Sequence, residues 1–462
     1  MTSEQQKKYN YWQWRTLIAL IFGYTLYYFV RKNFSVIIPA LESELGISKV
    51  SLGLFLSLNG VVYGLSRFVN GIIVDRGKKR IIMTLGLIFS GIINLAICFS
   101  PSLNLFFNVL DAEGKATSAL IVIIGSLWVV NGYVQGMGVP PCVSLMAHWI
   151  KPSEIATKQS IWNASHSIGA GLIAVFCGWI LNNMGYSAWQ LCFAIPAAVA
   201  IVGAFALYAA LRDTPSSVGL PEISEMEDEG AVKVEEHKEP ELTSSQKTAF
   251  MNKMVYKNPI IWMLALANFF VYIIRFTILD WGTSILTDFK GLSIGLAGTV
   301  VAASEIGGGI VGMLFFGWFS DKVMKSKAHQ TCLICTIGAT LMVLAFWQLP
   351  KEATVLSIIC IIMSSFFIYG PQALLGICAS QQATRSACGT ANGILGIFGY
   401  IAPLISGVGF GALAENFGWN SVFVVSVIMG ALGCVVLALI WKAPADGYAR
   451  AEKVMKEIAS QQ

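Results

Sequence analysis

Residues 71–80 read GIIVDRGKKR, and a weaker copy of this pattern, GWFSDKVMKSK, occupies residues 317–327. Each copy follows a long apolar stretch, and the two copies are 246 residues apart. The glycine would let two helices approach closely, the aspartate can cap or pair with a helix terminus, and the cations hold the loop at the cytoplasmic side of a membrane. The pattern therefore predicts a helical membrane protein built from a repeat. Its candidate gating residues are Gly71, Asp75, Arg76, Arg80, Gly317 and Asp321.

The composition agrees with a membrane location. The 462 residues are 55% hydrophobic and 12% charged, with a mean hydropathy of +0.66, whereas soluble domains carry about 25% charged residues. These values exclude a nucleic-acid-binding module, a secreted disulfide scaffold and a soluble enzyme with one anchor. Since a spanning helix needs about 20 apolar residues, the length accommodates roughly a dozen spans. The apolar runs predict twelve, at residues 15–41, 50–74, 81–100, 118–148, 160–182, 189–211, 258–287, 293–319, 330–349, 354–381, 388–413 and 419–441.

The lysines and arginines predict how these spans are oriented. With both termini in the cytoplasm, 23 of the 31 cations fall on the cytoplasmic side and four on the outside. This bias follows the positive-inside rule. No cleavable signal peptide is expected, because the first apolar run is too long and lacks a small-residue cleavage site. We expect a multi-pass protein of a bacterial inner membrane with both termini cytoplasmic; the endoplasmic reticulum is the alternative.

The chain divides into two similar halves. One long polar stretch separates six spans from six, and Arg31 and Arg275 occupy corresponding places 244 residues apart, each three residues after a tyrosine. Parallel six-span repeats with a binding site at their interface resemble the major facilitator superfamily. We therefore expect an all-α membrane protein with two pseudo-symmetric six-helix bundles. The expected parts are an N-terminal bundle (1–211), a cytoplasmic linker (212–257), a C-terminal bundle (258–441) and a cytoplasmic tail (442–462).

Four cations fall inside predicted spans, at Arg31, Lys32, Arg67 and Arg275. A cation at the centre of a membrane helix costs about 2.5 to 3.5 kcal/mol, so a cation there predicts a functional site. The alternative for Lys32 and Arg31 is that the side chain extends to the outer face of the membrane. Arg31 and Arg275, one from each half and at equivalent depth, would converge between the repeats. Two guanidinium forks match the oxygens of a phosphate group, with carboxylate as the competing ligand.

Two acids also fall inside the spans, Asp280 and Glu305, which leaves a net intramembrane charge of +2. One dianionic phosphate ester would neutralise that charge. The acids could neutralise the arginines when no ligand is bound and so act as a charge switch, or they could form static ion pairs. Trp281 is expected at the outer membrane interface.

Several segments resemble one family within this superfamily. They are YYFVRKNF (27–34), YGLSRF (63–68), NGYVQGMGVPPC (131–142), WNASHSIGAG (162–171), YIIRFTILDW (272–281), YGPQALLG (369–376) and CGTANGILGIFGY (388–400). These segments are similar to motifs of the organophosphate:phosphate antiporters, whose members carry glycerol 3-phosphate, hexose phosphates or glucose 6-phosphate. The resemblance implies that Arg31 and Arg275 bind phosphate and that His166, Tyr28 and Tyr272 surround it. Lys32 and Arg67 are further phosphate-binding candidates, although the family often has lysine where this chain has Arg67.

The sugar would meet the remaining polar side chains of the cavity. Tyr24, Tyr28 and Arg31 share one helix face, because they follow the spacing i, i+4 and i+7. The candidates for sugar hydroxyls are Tyr24, Tyr63, Gln372, Asn392 and Tyr400. Any of these could instead pack or hydrogen-bond between helices.

The predicted function is exchange of a hexose 6-phosphate, with glucose 6-phosphate favoured, for inorganic phosphate by alternating access. The alternatives are a transporter-like sensor of external glucose 6-phosphate, a carrier of glycerol 3-phosphate or phosphoglycerate, and a proton-coupled symporter. Besides these two substrates and the lipid bilayer we expect no partner, and in particular no nucleic acid, cofactor or metal. We expect the protein to be a monomer. An enzyme is not expected, because no nucleophile, base and orienting group recur at a usable spacing.

Overall fold

The computed structural model describes residues 3–76, 78–150, 152–221, 249–325, 327–384 and 387–460. Within these ranges the secondary structure is helical, and the only paired extended backbone is an isolated bridge between Leu110 and Ala116. The prediction of an all-α protein is confirmed.

Six long helices make up the first half of the chain. They are α1 (Ser3–Leu45), α2 (Lys49–Arg76), α3 (Lys79–Phe99), α4 (Ser118–Gln135 and, after a turn, Val139–Trp149), α5 (Pro152–Met184) and α6 (Leu191–Ala210). The turn within α4 ends at Pro140 and Pro141, which are tolerated there because the first backbone N–H groups of a helix have no intrahelical acceptor.

Six more helices follow, and three of them contain π-helical segments. They are α7 (Pro259–Ser284), α8 (Ile294–Ala302 and Val311–Lys322), α9 (Ala328–Gln348), α10 (Thr354–Ala383), α11 (Cys388–Leu404 and Phe410–Phe417) and α12 (Trp419–Leu439). The π-helical segments are Ile285–Phe289 at the end of α7, Ala303–Ile310 within α8 and Ile405–Gly409 within α11. Such segments in membrane helices often mark functional sites, because they turn backbone groups and side chains out of the regular register.

Eleven of these helices, α2 to α12, are long and apolar enough to cross a membrane. Helix α1 is less apolar because cations and five tyrosines interrupt its sequence, but its 43 residues exceed the length that a span needs. Counting α1, the described chain contains the twelve helices that the sequence predicts.

The helices are grouped in two compact units. The first comprises Met1–Lys233 and Thr283–Ala302. Its interior contains a stack of Phe34 on Trp128, with 4.4 Å between the ring centroids. Buried amides tie its helices together: the Asn33 side chain donates to the Asn94 amide oxygen over 2.9 Å, and the Asn131 side chain donates to the Val30 carbonyl over 3.0 Å. Each bond satisfies a polar group that lipid could not solvate.

Glycines allow α5 and the first part of α8 to pack backbone to backbone within this first unit. A Cβ on Gly178 would lie 3.0 Å from the Ile294 carbonyl oxygen, and one on Gly298 would overlap the Ala174 carbonyl. Membrane helices associate through such small residues because lipid supplies no hydrophobic driving force between them.

The second unit comprises Val234–Gly282 and Ala303–Gln462. Here α10 packs against the second part of α8, with the Phe316 ring 5.0 Å from Phe366 and 5.7 Å from Phe367. Gly312 allows this approach, because a Cβ at that position would overlap the backbone of Phe366.

The two ends of the predicted linker pack onto the two units. In the first unit Leu211 and Leu220 are buried, and Lys8 donates to the Val218 carbonyl over 2.7 Å. In the second, a further helix, α13 (Tyr448–Ala459), lies on the π-helical segment Asn252–Tyr256. The apolar residues of α13 are buried: Ala451, Val454 and Ile458. Most of the linker, residues 222–248, lies outside the described residues.

The expectation for Trp281 is wrong. This indole does not face a membrane interface: it is fully buried in the second unit, where its N–H donates to the Ser406 carbonyl over 2.8 Å. Lys158, in the first turns of α5, is also buried, and its ammonium group donates to the Gln13 side chain over 2.6 Å. In both cases an internal hydrogen bond satisfies a polar group that the sequence alone assigns to water.

Candidate functional site

In the first unit, Arg31 of α1 lies against tyrosine rings. Its guanidinium carbon is 3.8 Å from the centroid of the Tyr63 ring on α2 and 5.4 Å from that of Tyr28. A cation–π contact of this kind contributes about 2 kcal/mol when it is desolvated. It offsets part of the cost of placing the arginine in a membrane helix and leaves its formal charge in place.

The tyrosines continue as an aromatic cluster towards α5. Tyr24 lies 5.4 Å from Tyr28 and 5.0 Å from Trp162 between ring centroids. Tyr28 in turn lies 5.7 Å from the imidazole of His166. The structure therefore brings together five residues that the sequence predicts for the site: Tyr24, Tyr28, Arg31, Tyr63 and His166.

His166 is 4% exposed, and its Nδ1 atom is hydrogen-bonded to the Asn163 carbonyl oxygen one turn earlier. Because a carbonyl oxygen can only accept, Nδ1 must carry the hydrogen. The neutral ring then presents Nε2 as an acceptor, and a protonated ring presents it as a donor.

The two other cations of the first unit are placed differently. Arg67 lies 5.9 Å from the Tyr63 ring, so the ring of Tyr63 faces both Arg31 and Arg67. Lys32 is 8% exposed and follows Arg31 on α1, which turns its side chain about 100° around the helix.

In the second unit, Arg275 of α7 is 8% exposed and surrounded by rings. Its guanidinium carbon lies 5.7 Å from Tyr272, 5.6 Å from Phe276 and 5.5 Å from Tyr369. The surroundings of Arg31 and Arg275 are thus alike: a buried or half-buried arginine in a membrane helix, held by the faces of aromatic rings.

Tyr369 joins Arg275 to an acid. Its hydroxyl donates a hydrogen bond to Oε2 of Glu305, which is 2% exposed and lies in the π-helical segment of α8. Asp280, one and a half turns after Arg275 on α7, is also buried. The second unit therefore contains both predicted switch acids in its interior.

Tyr369 is not among the residues that the sequence predicts for the site. It lies in the segment YGPQALLG, but a tyrosine within an apolar helix is ordinarily a packing residue. Its position directly before Gly370 and Pro371 is the signal that could have identified it, since such pairs mark irregular helix segments.

The remaining sugar-binding candidates lie on α10 and α11. Gln372 is half-buried, and no described residue accepts or donates a hydrogen bond at its buried Oε1 atom. Asn392 donates to the Ser380 hydroxyl over 2.7 Å, which links α11 to α10. Tyr400 is half-buried on α11.

The predicted gating motif is only partly described. The side chains of Asp75 and Arg76 lie outside the described residues. A Cβ at Gly71 or Gly317 would have no described atom within 4 Å, so the described residues give neither glycine the close helix contact expected of it. Arg80 is the second residue of α3, and its backbone N–H donates to the Asp213 carboxylate over 2.9 Å, whereas Asp321 is exposed.

The basic and phenolic side chains of these two clusters are of the kinds that can bind an anion. Guanidinium, imidazole and phenol groups offer hydrogen-bond donors and positive charge. Among the described residues, no group of three His, Cys, Asp or Glu side chains is placed to hold a metal ion.

Comparison with known proteins places the chain in a family. Residues 20–407 match the Major Facilitator Superfamily. The chain is 34% identical over 450 residues to a probable hexose phosphate transport protein of Chlamydia trachomatis, covering 94% of this chain and 91% of that protein. It is 34% identical to the glycerol-3-phosphate transporter of Bacillus subtilis, covering 95% of this chain and 94% of the relative. It is 31% identical to the membrane sensor protein UhpC of Escherichia coli, covering 94% and 93%.

Solved structures of more distant proteins share the fold. A D-xylose-proton symporter superposes with a TM-score of 0.68 at 12% identity, covering 93% of this chain and 97% of that one. A bacterial homologue of the human lysosomal transporter Spinster superposes with a TM-score of 0.67 at 14% identity, covering 93% and 96%.

Proposed function

The chain belongs to the major facilitator superfamily and, within it, to the organophosphate:phosphate antiporter family, and on that premise we propose that it exchanges a hexose 6-phosphate for inorganic phosphate. The family consists of multi-pass membrane proteins that carry phosphorylated substrates, and it is not a family of enzymes. We further propose that both termini lie in the cytoplasm of a bacterial inner membrane, as the distribution of lysine and arginine indicates.

One observation supports phosphate as the shared ligand: each unit holds one arginine in a membrane helix among aromatic rings, Arg31 with Tyr63 and Arg275 with Tyr272. Ring faces leave the charge of a guanidinium intact. A phosphate group, with its three terminal oxygens, can accept hydrogen bonds from two such forks. We propose that both arginines bind the phosphate and that His166, Tyr28 and Tyr272 complete the site, with Lys32 and Arg67 adding positive charge.

Electrostatics then makes the exchange obligatory. Without ligand, the unneutralised arginines would enter a low-dielectric space when the carrier changes conformation, and this cost raises the barrier. Either inorganic phosphate or a phosphate ester lowers it. Asp280 and Glu305 would share in this switch by exchanging partners between conformations.

Selectivity among substrates must come from groups outside the phosphate site, because that site contacts only the phosphate group that all the substrates share. We assign this role to Tyr24, Tyr63, Gln372, Asn392 and Tyr400. The Oε1 atom of Gln372 supports the assignment, since a buried acceptor without a described partner can accept from a sugar hydroxyl. The likeness to a probable hexose phosphate transport protein of Chlamydia supports a hexose phosphate as the substrate, and we propose glucose 6-phosphate as the preferred one.

The experiment uses purified protein in proteoliposomes loaded with inorganic phosphate. We expect uptake of labelled phosphate to need phosphate inside, and external glucose 6-phosphate to compete better than glycerol 3-phosphate or 3-phosphoglycerate. Uptake into phosphate-free vesicles driven by a pH gradient would identify a symporter instead. Tight binding of glucose 6-phosphate without turnover would identify a sensor, like the E. coli relative named as a membrane sensor protein.

A further inference from the structure

A groove runs between α1 and α6 on the surface of the first unit. It has a volume of about 620 Å³ and is lined by apolar side chains, among them Trp14, Ile18 and Phe22 of α1 and Ala206, Leu207 and Ala210 of α6. The alanines give the groove its depth, because their short side chains leave space between the two helices. The volume lies within the range of about 300 to 1,000 Å³ that is typical of small-molecule sites.

The groove opens towards the surroundings of the protein. Trp14 is 50% exposed, Ile18 60% and Phe22 45%. Large apolar side chains with this exposure on a membrane helix face lipid. The natural occupant of such a groove is therefore an acyl chain.

The groove has a basic end. Arg15 lines it and is fixed in place: Nε donates to the Ala210 carbonyl, one terminal nitrogen donates to the Ala209 carbonyl and the other to the Tyr11 hydroxyl, over 3.1, 3.1 and 2.9 Å. The hydrogen bonds described for Arg15 use three of its five N–H donors. The remaining two can bind phosphate oxygens.

The same face of α1 changes from charged to apolar along the helix. Lys7, Tyr11, Trp14 and Ile18 are each separated by three or four residues, so they form one exposed stripe. Lysine at the end of the stripe, aromatic rings next and aliphatic residues beyond them match the order of layers from the headgroups to the hydrocarbon of a leaflet.

From this groove and its basic end we propose that α1 and α6 bind one phospholipid with an anionic headgroup. One acyl chain fills the groove along Ile18 and Phe22, and the lipid phosphate meets the two outward donors of Arg15. Lys7 and Lys8, both exposed, attract the net negative charge of the headgroup and disfavour a zwitterionic lipid, whose ammonium group they would repel.

Such a lipid would join two helices of the first unit that also touch through Arg15. Since it binds the folded protein only, it raises the stability of that unit, and the gain grows with the logarithm of the lipid concentration. The proposal concerns a site on the lipid-facing surface and does not depend on which substrate the protein carries.

The test is native mass spectrometry of the purified full-length protein in detergent, titrated with phosphatidylglycerol or phosphatidylcholine. We expect one tightly bound phosphatidylglycerol, and we expect Arg15→Gln to weaken its binding about fivefold. Ala206→Leu, which fills the groove without changing charge, should weaken binding as well. The matched controls are Lys442→Gln, which removes an exposed cation after α12, and Ala209→Leu, which adds the same side chain at an exposed position outside the lining of the groove.

Unfolding of Arg15→Gln would not decide the question, because Ala206→Leu leaves the hydrogen bonds of Arg15 in place and tests the groove separately. Equal retention of phosphatidylglycerol by Ala206→Leu and Ala209→Leu would overturn the proposal. So would equal binding of phosphatidylglycerol and phosphatidylcholine to the unaltered protein, because it would show that the basic end selects no headgroup charge.

Discussion

The Tyr369 hydroxyl donates a hydrogen bond to the Glu305 carboxylate, and both residues are almost fully buried, at 1% and 2% exposure. The ring of the same tyrosine faces the Arg275 guanidinium at 5.5 Å. One side chain therefore contacts an acid through its hydroxyl and a base through its ring, on two different helices of the second unit.

Removing that hydroxyl should destabilise the second unit. In Tyr369→Phe the ring still faces Arg275, but the Glu305 carboxylate loses a donor, which costs about 1 to 3 kcal/mol for a buried group. We expect a lower melting temperature in detergent. A double-mutant cycle with Glu305→Gln measures the coupling, and additive effects of the two substitutions would show that the hydrogen bond contributes nothing.

Replacing Arg275 by lysine should abolish phosphate exchange while the protein still inserts and folds. Lysine keeps the charge but cannot reproduce the planar fork or its stacking on Tyr272 and Phe276. The measurement is counterflow of labelled phosphate in proteoliposomes. Arg212→Lys is the matched control, because Arg212 bonds the Ala209 and Leu211 carbonyls near the end of α6. Near-normal exchange by the Arg275 variant would refute its role in the site.

The pH dependence of exchange tests His166. With Nδ1 held by the Asn163 carbonyl, only protonation turns Nε2 into a donor for phosphate. We expect the ratio of wild-type to His166→Gln exchange rates to rise as the pH falls. Phosphate also titrates near neutrality, but that effect is common to both proteins and cancels in the ratio. A ratio that does not change with pH would show that His166 does not donate to phosphate and only packs between helices.

The contact between α5 and the first part of α8 should not tolerate a methyl group at Gly298. The Cβ of an alanine at this position would overlap the Ala174 carbonyl, and overpacking of this kind lowers the free energy of unfolding by about 1 to 3 kcal/mol. Gly298→Ala should therefore lower the melting temperature. Gly307→Ala is the control, because no described atom lies within 4 Å of a Cβ there. Equal stability of the two variants would contradict the packing.

Docking of α13 depends on Arg450, which donates over 3.1 Å to the Asn258 side chain and to the Lys253 and Lys257 carbonyls. Arg450→Ala should accelerate amide hydrogen exchange in residues 448–459 by roughly tenfold. Lys453→Ala, at an exposed position on the same helix, should leave it unchanged. Glu457→Gln should have a small effect, because the ion pair of Glu457 with Lys253 is exposed to solvent.

The sequence predicts some of the residues around Arg275 in the second unit and misses others. Arg275 is predictable from the sequence, because burying a cation inside an apolar helix costs free energy however that helix packs. Tyr369 is not predictable, since nothing in the sequence of a single helix shows which tyrosine will face a particular arginine. The same reason explains Trp281: an indole near the end of an apolar run suits an interface, and only packing against Ser406 makes it internal.

The sequence alone determined the helical fold, the number of spans, the repeat and the four cations within membrane segments, because the cost of moving a residue from water into lipid is a local property of the chain. Only the tertiary structure decided that Tyr63 lies over Arg31, that Tyr369 bonds Glu305, and that Gly71 and Gly317 have no close neighbour among the described residues. Those relationships depend on how each helix is rotated about its axis and how deeply it is seated, and both are set by side chains that are far away in the sequence.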